Sequence, residues 1–143
     1  MARFTAREIV AGALLLPTVI GVVLYYLPRA FTSRCGSSSI AEVPAPDRRL
    51  KVSVYERDCG ATTDFATHVS LVDMSAATPT TPGNILVVDT DHGRAPSGPG
   101  GGPEVRLTWL ADTLLLLRYD HRDRGFRSVA GVNSVSIRYE PFE

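Results

Sequence analysis

An uncharged apolar run near the N-terminus sets the organisation of this chain. Residues 9–27 carry no Asp, Glu, Lys, Arg or His side chain. At about 1.5 Å of rise per residue, a helix over this run would be roughly 28 Å long, close to the roughly 30 Å of a bilayer core. We therefore predict one transmembrane helix over residues 9–27. The residues expected to anchor it are Ile9, Leu16, Pro17, Leu24, Tyr25 and Tyr26.

A cleavable signal peptide is the main alternative for the same run. Signal peptides have an apolar stretch of about 7–15 residues and end in small residues at the cleavage site. Here the run is longer, and the sequence L-P-R-A-F-T-S-R-C at its end lacks such a site. Pro17 is compatible with a kinked membrane helix, and Tyr25 and Tyr26 suit an interfacial aromatic belt. The sequence therefore favours an uncleaved anchor.

Basic residues flank the run on both sides and indicate its orientation. Arg3 and Arg7 precede it, and Arg29 and Arg34 follow it. The α-amino group adds positive charge on the N-terminal side, which tips the positive-inside rule slightly toward a cytoplasmic N-terminus. The sequence thus predicts a single-pass protein of the cell inner membrane. Residues 1–8 would lie in the cytoplasm, and the C-terminal part would lie in the periplasm or another extracytoplasmic space.

The composition changes after the apolar run. Residues 28–47 are rich in Ser, Pro and Gly, show no apolar period and end in P-A-P-D. Because proline disfavours helix in the residue before it, this stretch is expected to be a linker. From residue 48 onward apolar residues alternate with polar ones, as in β-strands with one buried face. The alternating positions are Leu50, Val52 and Val54; Thr67, Val69 and Leu71; Val105, Leu107 and Trp109; and Val135, Ile137 and Tyr139, with apolar runs at 85–88 and 114–117.

These patterns predict about six short strands within residues 48–143, separated by turns rich in Gly, Pro, Asp and Thr. We expect a small antiparallel all-β domain, either a sandwich or one curled sheet, behind the single N-terminal transmembrane helix. The short link at 110–113 indicates a hairpin. The Gly- and Pro-rich sequence at 97–103 is expected to form a flexible hairpin loop. Candidate core residues are Phe65, Trp109, Leu115, Leu117 and Ile137.

Charge and cysteine content exclude several classes of protein. The 143 residues carry 15 basic and 15 acidic side chains, whereas domains that bind nucleic acid present a basic patch or stripe. No nucleic acid is therefore expected as a partner. Two cysteines are also too few for a disulfide scaffold or a four-thiolate zinc site.

Cys35 and Cys59 leave two structural interpretations open. They can form a disulfide, because an extracytoplasmic compartment permits oxidation, or they can remain inert thiols. A catalytic role for Cys59 is disfavoured, because the neighbouring carboxylate of Asp58 opposes formation of the thiolate.

Two short sequences supply candidate ligands for a divalent cation. They are D-T-D-H at 89–92 and D-H-R-D at 120–123. Carboxylate and imidazole groups bind such ions, but arginines are interleaved and the spacing matches no recognised metal loop. No metal or cofactor is therefore predicted. The weak candidate ligands are Asp89, Asp91, His92, Asp120, His121 and Asp123.

Residues 57–65 carry the motif R-D-C-G-A-T-T-D-F ahead of an alternating strand. The motif resembles the R-[DN]-C-G-A-T-T-[DG]-[FY] sequence of a family of small, uncharacterised bacterial proteins. In that family a strand, a G-N-[IV] sequence and a Trp-containing hairpin follow the motif, and residues 83–85 and Trp109 match this order. The resemblance covers about residues 48–140. It implies no activity, because none is known for that family.

The sequence contains no residue set typical of a recognised reaction. It lacks the G-x-S-x-G sequence of many Ser-His-Asp hydrolases, and His68, on the polar side of its strand, is expected at the surface. Segment 118–127 mixes arginines with aromatic residues, which interfaces favour. We therefore predict a non-catalytic accessory or structural subunit that docks on a larger integral membrane complex, such as a respiratory, photosynthetic or envelope assembly. Candidate interface residues are Arg118, Arg122, Arg124 and Phe126.

A second hypothesis gives the extracytoplasmic domain a binding function of its own. In this hypothesis the loops that contain Asp and His bind a ligand or a metal ion. Asp91, His92 and His121 would then be required for binding, but they would not be required for assembly with a membrane complex.

Overall fold

The computed structural model describes residues 19–22, 25, 35–60 and 64–142. The chain divides into two units, Met1–Arg34 and Cys35–Glu143. In the first unit, residues 19–22 and Tyr25 are helical and exposed. Within the described part of the chain, no helix is both long enough and apolar enough to cross a membrane. The transmembrane helix therefore stays a prediction. Five of its expected anchor residues lie outside the described residues: Ile9, Leu16, Pro17, Leu24 and Tyr26.

The second unit is built from β-strands. Its described residues, 35–60 and 64–142, form nine strands and contain no helix. The strands are β1 (Gly36–Pro44), β2 (Leu50–Asp58), β3 (Ala66–Asp73), β4 (Leu86–Asp89), β5 (Val105–Ala111), β6 (Leu114–Asp120), β7 (Arg124–Ser128), β8 (Gly131–Val132) and β9 (Val135–Phe142). One sheet has the order β1-β2-β3-β4-β7, and the other has the order β5-β6-β9-β8. The prediction of an all-β domain is confirmed, with more strands than the six expected.

A hydrophobic core lies between the two sheets. In the five-stranded sheet, β2 and β3 are antiparallel, with Val52 opposite Leu71 and Val54 opposite Val69. These β-branched and aliphatic side chains suit a pleated surface and share one face of the sheet. Because the same buried cluster includes residues of both sheets, the domain is sandwich-like. The other buried members are Ile85, Leu86, Val88, Leu115, Leu117, Val135 and Ile137.

The core candidates are correct in part. Trp109 is partly buried against the core, and its Nε1–H donates to the carbonyl oxygen of Val43 over 3.3 Å. Phe65 is 49% exposed, so its assignment to the core is wrong; it precedes β3 and lies outside the sandwich. The buried candidates are Leu115, Leu117 and Ile137.

Strand β1 corrects the expected linker. Residues 28–47 were expected to form no regular structure, yet β1 pairs with β2 in antiparallel fashion, from Gly36 opposite Asp58 to Pro44 opposite Lys51. β1 lies at the edge of its sheet, and most of its residues are exposed. An edge strand can therefore form from a polar sequence that shows no apolar period.

The parallel pairing of β6 with β9 corrects the expectation of a purely antiparallel domain. Leu115 lies opposite Ile137, and Leu117 lies opposite Tyr139. After β6 the chain crosses to the other sheet to form β7, and it returns through β8. This return brings β9 beside β6 in the same direction. The expected hairpin is confirmed, since β5 and β6 are antiparallel and joined at Ala111 opposite Leu114.

The face of the five-stranded sheet that points away from the core is also covered. Segment 74–85 lies across it: the Tyr55 hydroxyl donates to the carbonyl oxygen of Thr81 over 2.8 Å, and the backbone N–H of Gly83 donates to Nδ1 of His68 over 3.0 Å. The expectation that His68 faces solvent is therefore wrong. The alternation along β3 does place His68 on the face opposite the core, but segment 74–85 buries that face.

The Gly- and Pro-rich segment 97–103 packs against β3. The hydroxyl of Thr67 donates to the carbonyl oxygen of Pro103 over 2.7 Å, and the backbone N–H of Gly98 donates to the carbonyl oxygen of Gly102 over 2.6 Å. A Cβ at Gly102 would lie 2.6 Å from Oγ1 of Thr67. Glycine is therefore required for this close approach. The expected hairpin is present, since Ser97 pairs with Pro103 in antiparallel fashion, and it packs against β3.

Candidate functional site

A pocket of about 550 Å³ lies on the outer face of the five-stranded sheet. Leu86 and Val88 of β4 belong to the core, so alternation along the strand turns Val87 and Asp89 to the opposite, outer face. We call this cavity the outer-face pocket. Its lining residues are Arg57, Cys59, Asp64, Ala66, His68, Val87, Asp89, His92, Arg124 and Phe126.

An arginine–carboxylate pair forms one wall of the outer-face pocket. Asp89, 3% exposed, lies opposite Arg124 in the pairing of β4 with β7. Nε of Arg124 donates to Oδ1 of Asp89 over 3.1 Å, and Nη2 donates to Oδ2. The backbone N–H of Asp91 also donates to Oδ1 over 2.9 Å. The bidentate contact with Asp89 raises the pKa of Arg124, and it compensates a carboxylate that would be costly to bury alone.

A second carboxylate of the pocket is also partnered. Oδ2 of Asp64 accepts a hydrogen bond from the backbone N–H of His92 over 3.1 Å and lies 3.2 Å from Nδ1 of the same residue. The turn that carries His92 has left-handed backbone angles, with φ of 48° at Asp91 and 59° at His92. Such angles are uncommon outside glycine. The turn thus directs both the backbone and the ring of His92 to Asp64.

His68 contributes a neutral imidazole. Since a backbone N–H can only donate, the bond from Gly83 leaves Nδ1 of His68 unprotonated and places the proton of the neutral ring on Nε2. The Tyr55 ring stacks on the imidazole with the centroids 5.4 Å apart. Burial, and then the positive charge of Arg57, lower the pKa of His68 to about 4. At neutral pH His68 therefore offers the pocket a hydrogen-bond donor without a charge.

Arg57 has a guanidinium group without a partner in the described part of the chain. Its Nε is buried and has no hydrogen-bond partner there. None of the ion pairs among the described residues includes Arg57. A buried donor without an acceptor costs free energy of about 1–3 kcal/mol. Among the described residues that line the pocket, Arg57 is therefore a charged group whose hydrogen-bond donors have no acceptor.

A disulfide joins Cys35 to Cys59 at the same end of the sheet. Cys59 lines the outer-face pocket, and Cys35 directly precedes β1. Of the two structural interpretations that the sequence left open, the structure has the disulfide. It ties the start of β1 to the end of β2, two residues beyond Arg57.

The metal candidates do not form one cluster. Asp89 and His92 line the outer-face pocket, whereas His121 lines a second pocket of about 370 Å³ on the core side of β4. Nε and Nη2 of Arg122 donate hydrogen bonds to Oδ1 and Oδ2 of Asp120, over 2.9 and 2.7 Å. This contact lowers the pKa of Asp120. The described part of the chain contains no group of three or more His, Cys, Asp or Glu side chains arranged to hold a metal ion.

Asp123 lines the second pocket together with Tyr119 and Tyr139. Both of its carboxyl oxygens are buried and have no hydrogen-bond partner among the described residues. Burial, and then the negative charge of Asp120, raise the pKa of Asp123 to about 6. The carboxyl group therefore takes up a proton more readily than an exposed aspartate.

The candidate interface residues do not form one surface. Arg118 lies on the outer face of the four-stranded sheet and pairs with Glu140 over 3.2 Å. Arg122 is held by its own turn, through Asp120. Arg124 and Phe126 line the outer-face pocket on the other sheet, where the guanidinium carbon of Arg124 lies 5.1 Å from the centroid of the Phe126 ring.

Comparisons of the chain with protein families, with curated proteins and with solved structures found no match. The resemblance of residues 57–65 to a motif of small bacterial proteins stays an expectation from sequence.

Sequence reasoning missed several residues of the outer-face pocket. His68 was expected at the surface, and Arg57 and Asp64 were considered only as members of the motif at 57–65. One signal was available: β2 and β3 place Tyr55, Arg57 and His68 on the side opposite the core. That set of large polar and aromatic side chains is typical of a face that a further segment covers.

Proposed function

We propose that the protein is a membrane-anchored, non-catalytic binding module whose extracytoplasmic β-domain takes a small ligand in the outer-face pocket. The anchor and its orientation rest on the uncharged run 9–27 and its flanking arginines. The observation that carries the binding function is a preformed pocket whose polar walls are already fixed by hydrogen bonds. Its volume of about 550 Å³ lies within the range of about 300–1,000 Å³ that is usual for small-molecule sites.

The pocket combines fixed polar groups with apolar walls. Asp89 is held by Arg124, and Asp64 is held by His92. Ala66, Val87 and Phe126 supply apolar surface between these groups. Because few side chains need to be ordered when a ligand binds, little conformational entropy opposes association. These features favour a binding site over a solvated surface.

A fragment titration tests this proposal on the full-length chain in detergent micelles. Small neutral, acidic and basic aromatic fragments are added one at a time, and backbone amide shifts are followed by two-dimensional NMR. We expect saturable shifts at residues that line the pocket, such as His68 and Val87. Saturable shifts confined to other parts of the domain would contradict the proposal.

Two matched variants locate the site. Ala66→Phe fills the pocket with a ring, whereas Ser136→Phe places the same ring on an exposed position of β9. Fragment binding should be lost in Ala66→Phe and kept in Ser136→Phe. Equal binding to both variants would show that the fragments bind elsewhere.

Docking on a larger membrane complex is a second proposal, supported by strand β7. It is an edge strand, and its Phe126 is 60% exposed. Exposed edges readily pair with other chains. If docking uses this edge, Phe126→Ala should release the full-length chain from a complex purified in mild detergent. The control Leu110→Ala, at a position 48% exposed on β5, should not. A wild-type chain that purifies without partners contradicts this proposal.

A further inference from the structure

Some hydrogen-bonding groups of the outer-face pocket have partners among the described residues, and others have none. Its two carboxylates are partnered, because Asp89 accepts from Arg124 and Asp64 accepts from His92. Its two remaining polar groups are donors, the guanidinium of Arg57 and Nε2–H of His68. Among the described residues, a ligand that enters the pocket therefore meets two unpartnered donors, whereas both oxygens of Asp89 and Oδ2 of Asp64 are already engaged.

We propose that the outer-face pocket selects an organic carboxylate with an apolar body, and that Arg57 and His68 bind its carboxylate group. This inference rests on the proposed function of the pocket and names the class of ligand. A guanidinium presents parallel N–H groups that match the two oxygens of a carboxylate. The neutral imidazole adds a further donor beside it.

The guanidinium of Arg57, which has no partner among the described residues, supports an anion as the ligand. Its Nε is buried and without a hydrogen-bond acceptor among the described residues. Native structures pair most buried polar groups, so each exception calls for an explanation. Because this Nε has almost no accessible surface, an anionic ligand in the pocket would engage the Nη groups of Arg57, which form no ion pair among the described residues.

The charge of the walls favours a monoanion over a dianion such as a phosphate monoester. Asp64 and Asp89 both line the pocket, and like charges repel a second negative charge on the ligand. Arg124 neutralises Asp89 through their ion pair, so Asp64 is the carboxylate whose charge opposes a second negative charge on the ligand. A single negative charge can be met by Arg57 alone.

The apolar walls indicate what the rest of the ligand is made of. Ala66 and Val87 line the pocket, and Phe126 lines it with a ring that is 60% exposed. An aromatic or aliphatic body would cover part of this ring and gain from the removal of apolar surface from water. A carboxylate as small as formate would leave that surface exposed.

A series of ligands that share a phenyl ring and differ in charge tests the inference. Benzoate, benzamide and benzylammonium share a phenyl ring and differ in the group that would reach Arg57. Each is titrated at equal concentration and ionic strength into the full-length chain in detergent micelles, and amide shifts of the pocket residues are followed by NMR. We expect benzoate to bind at least about tenfold more tightly than benzamide, since it keeps the charge-assisted hydrogen bonds.

Two arginine variants complete the design. Arg57→Met removes the guanidinium but keeps an unbranched side chain, and benzoate affinity should fall at least about tenfold. Arg106→Met removes a guanidinium that pairs with Glu104 on β5, outside the pocket, and benzoate affinity should not change.

The outcomes separate the ligand class from the function of the pocket. If benzamide or benzylammonium binds in the pocket as tightly as benzoate, the carboxylate inference is wrong and the binding function stands. The same conclusion follows if Arg57→Met leaves benzoate affinity unchanged. If no member of the series shifts the pocket residues, while other fragments do, the inference again fails alone. If no fragment of any charge binds there, both proposals fail.

Discussion

Arg57 lies near His68 on the outer face of the five-stranded sheet, and its positive charge helps to lower the pKa of the imidazole. Burial is the larger cause. Arg57 acts on His68 because β2 and β3 pair in the register that places Arg57 opposite Ala66 and Tyr55 opposite His68. The pKa of His68 therefore reports the charge of Arg57 in the pocket without any ligand.

Removal of Arg57 should raise the pKa of His68. In Arg57→Met the pKa should move upward from about 4, but it should stay below the ordinary value of about 6.5 because burial persists. The C–H resonances of the His68 ring, followed by NMR as a function of pH, report this change. Arg106→Met is the control, since Arg106 pairs with Glu104 on the other sheet. An unchanged pKa of His68 in Arg57→Met would contradict an effect of the Arg57 charge on His68.

The same variant should be more stable than the wild type when no ligand is present. Nε of Arg57 is buried without an acceptor among the described residues, so its loss should raise the free energy of unfolding by about 1 kcal/mol, the lower end of the cost of such a donor. Chemical denaturation with urea measures the difference. A decrease in stability would mean that Arg57 has a structural partner and is not held ready for a ligand.

His68 should make the domain less stable as the pH falls. The unfolded state binds a proton to this histidine near pH 6.5, and the folded state does so only near pH 4. Between these values the unfolded state binds more protons, so the contribution of His68 lowers the free energy of unfolding as the pH drops, by on the order of 2–3 kcal/mol. Denaturation at several pH values should show this loss in the Asp123→Asn variant and not in the Asp123→Asn, His68→Gln double variant.

Asp123 acts in the opposite direction and would offset the effect of His68 in the wild type. Its folded-state pKa is raised to about 6 from 3.8, so between these values the folded state binds more protons and this contribution rises as the pH falls. The comparison of His68 with Gln is therefore made in an Asp123→Asn background. A pH dependence that survives in the double variant would come from neither group.

The contact between Asp89 and Arg124 should matter more to stability than an exposed ion pair. Arg124→Met leaves the buried Asp89 without its bidentate partner, and a buried unpaired carboxylate is strongly unfavourable. Arg118→Met breaks a more exposed pair with Glu140, of the kind that contributes about 1 kcal/mol or less. The melting temperature should fall further in Arg124→Met. Equal melting temperatures would contradict the structural role of the pair.

The disulfide should stabilise the domain measurably. Cys35 and Cys59 are separated by 24 positions, and closure of such a loop lowers the entropy of the unfolded chain by an amount equivalent to about 3 kcal/mol. The variant with both cysteines changed to Ala should lose about that free energy of unfolding. Addition of a reductant should destabilise the wild type and leave the double variant unaffected. A wild type insensitive to reductant would contradict the prediction.

The strands of the core could be predicted from sequence, but their full arrangement could not. Val52, Val54, Val69 and Leu71 alternate with polar residues, and this pattern reports one buried face. It carries no information about the partner of a polar edge strand such as β1. Nor does it show that the chain crosses between sheets after β6, which makes β9 a parallel neighbour. Both features depend on contacts between distant parts of the chain.

The candidate site was predicted less well, for a physical reason. Asp89 and His92 were singled out as metal candidates because carboxylates and imidazoles bind metals. In the fold Asp89 is instead compensated by Arg124, which lies 35 positions away. His68 was assigned to the surface because the parity of a strand does not reveal that a loop covers its second face. Such tertiary contacts decide which polar groups remain available to a ligand.

The most direct test of carboxylate binding in the outer-face pocket is equilibrium dialysis of radiolabelled benzoate against the full-length chain in detergent micelles. We expect saturable binding of one benzoate per chain, lost in Ala66→Phe and kept in Ser136→Phe. Binding that does not saturate, or that is equal in the wild type and Ala66→Phe, would contradict it.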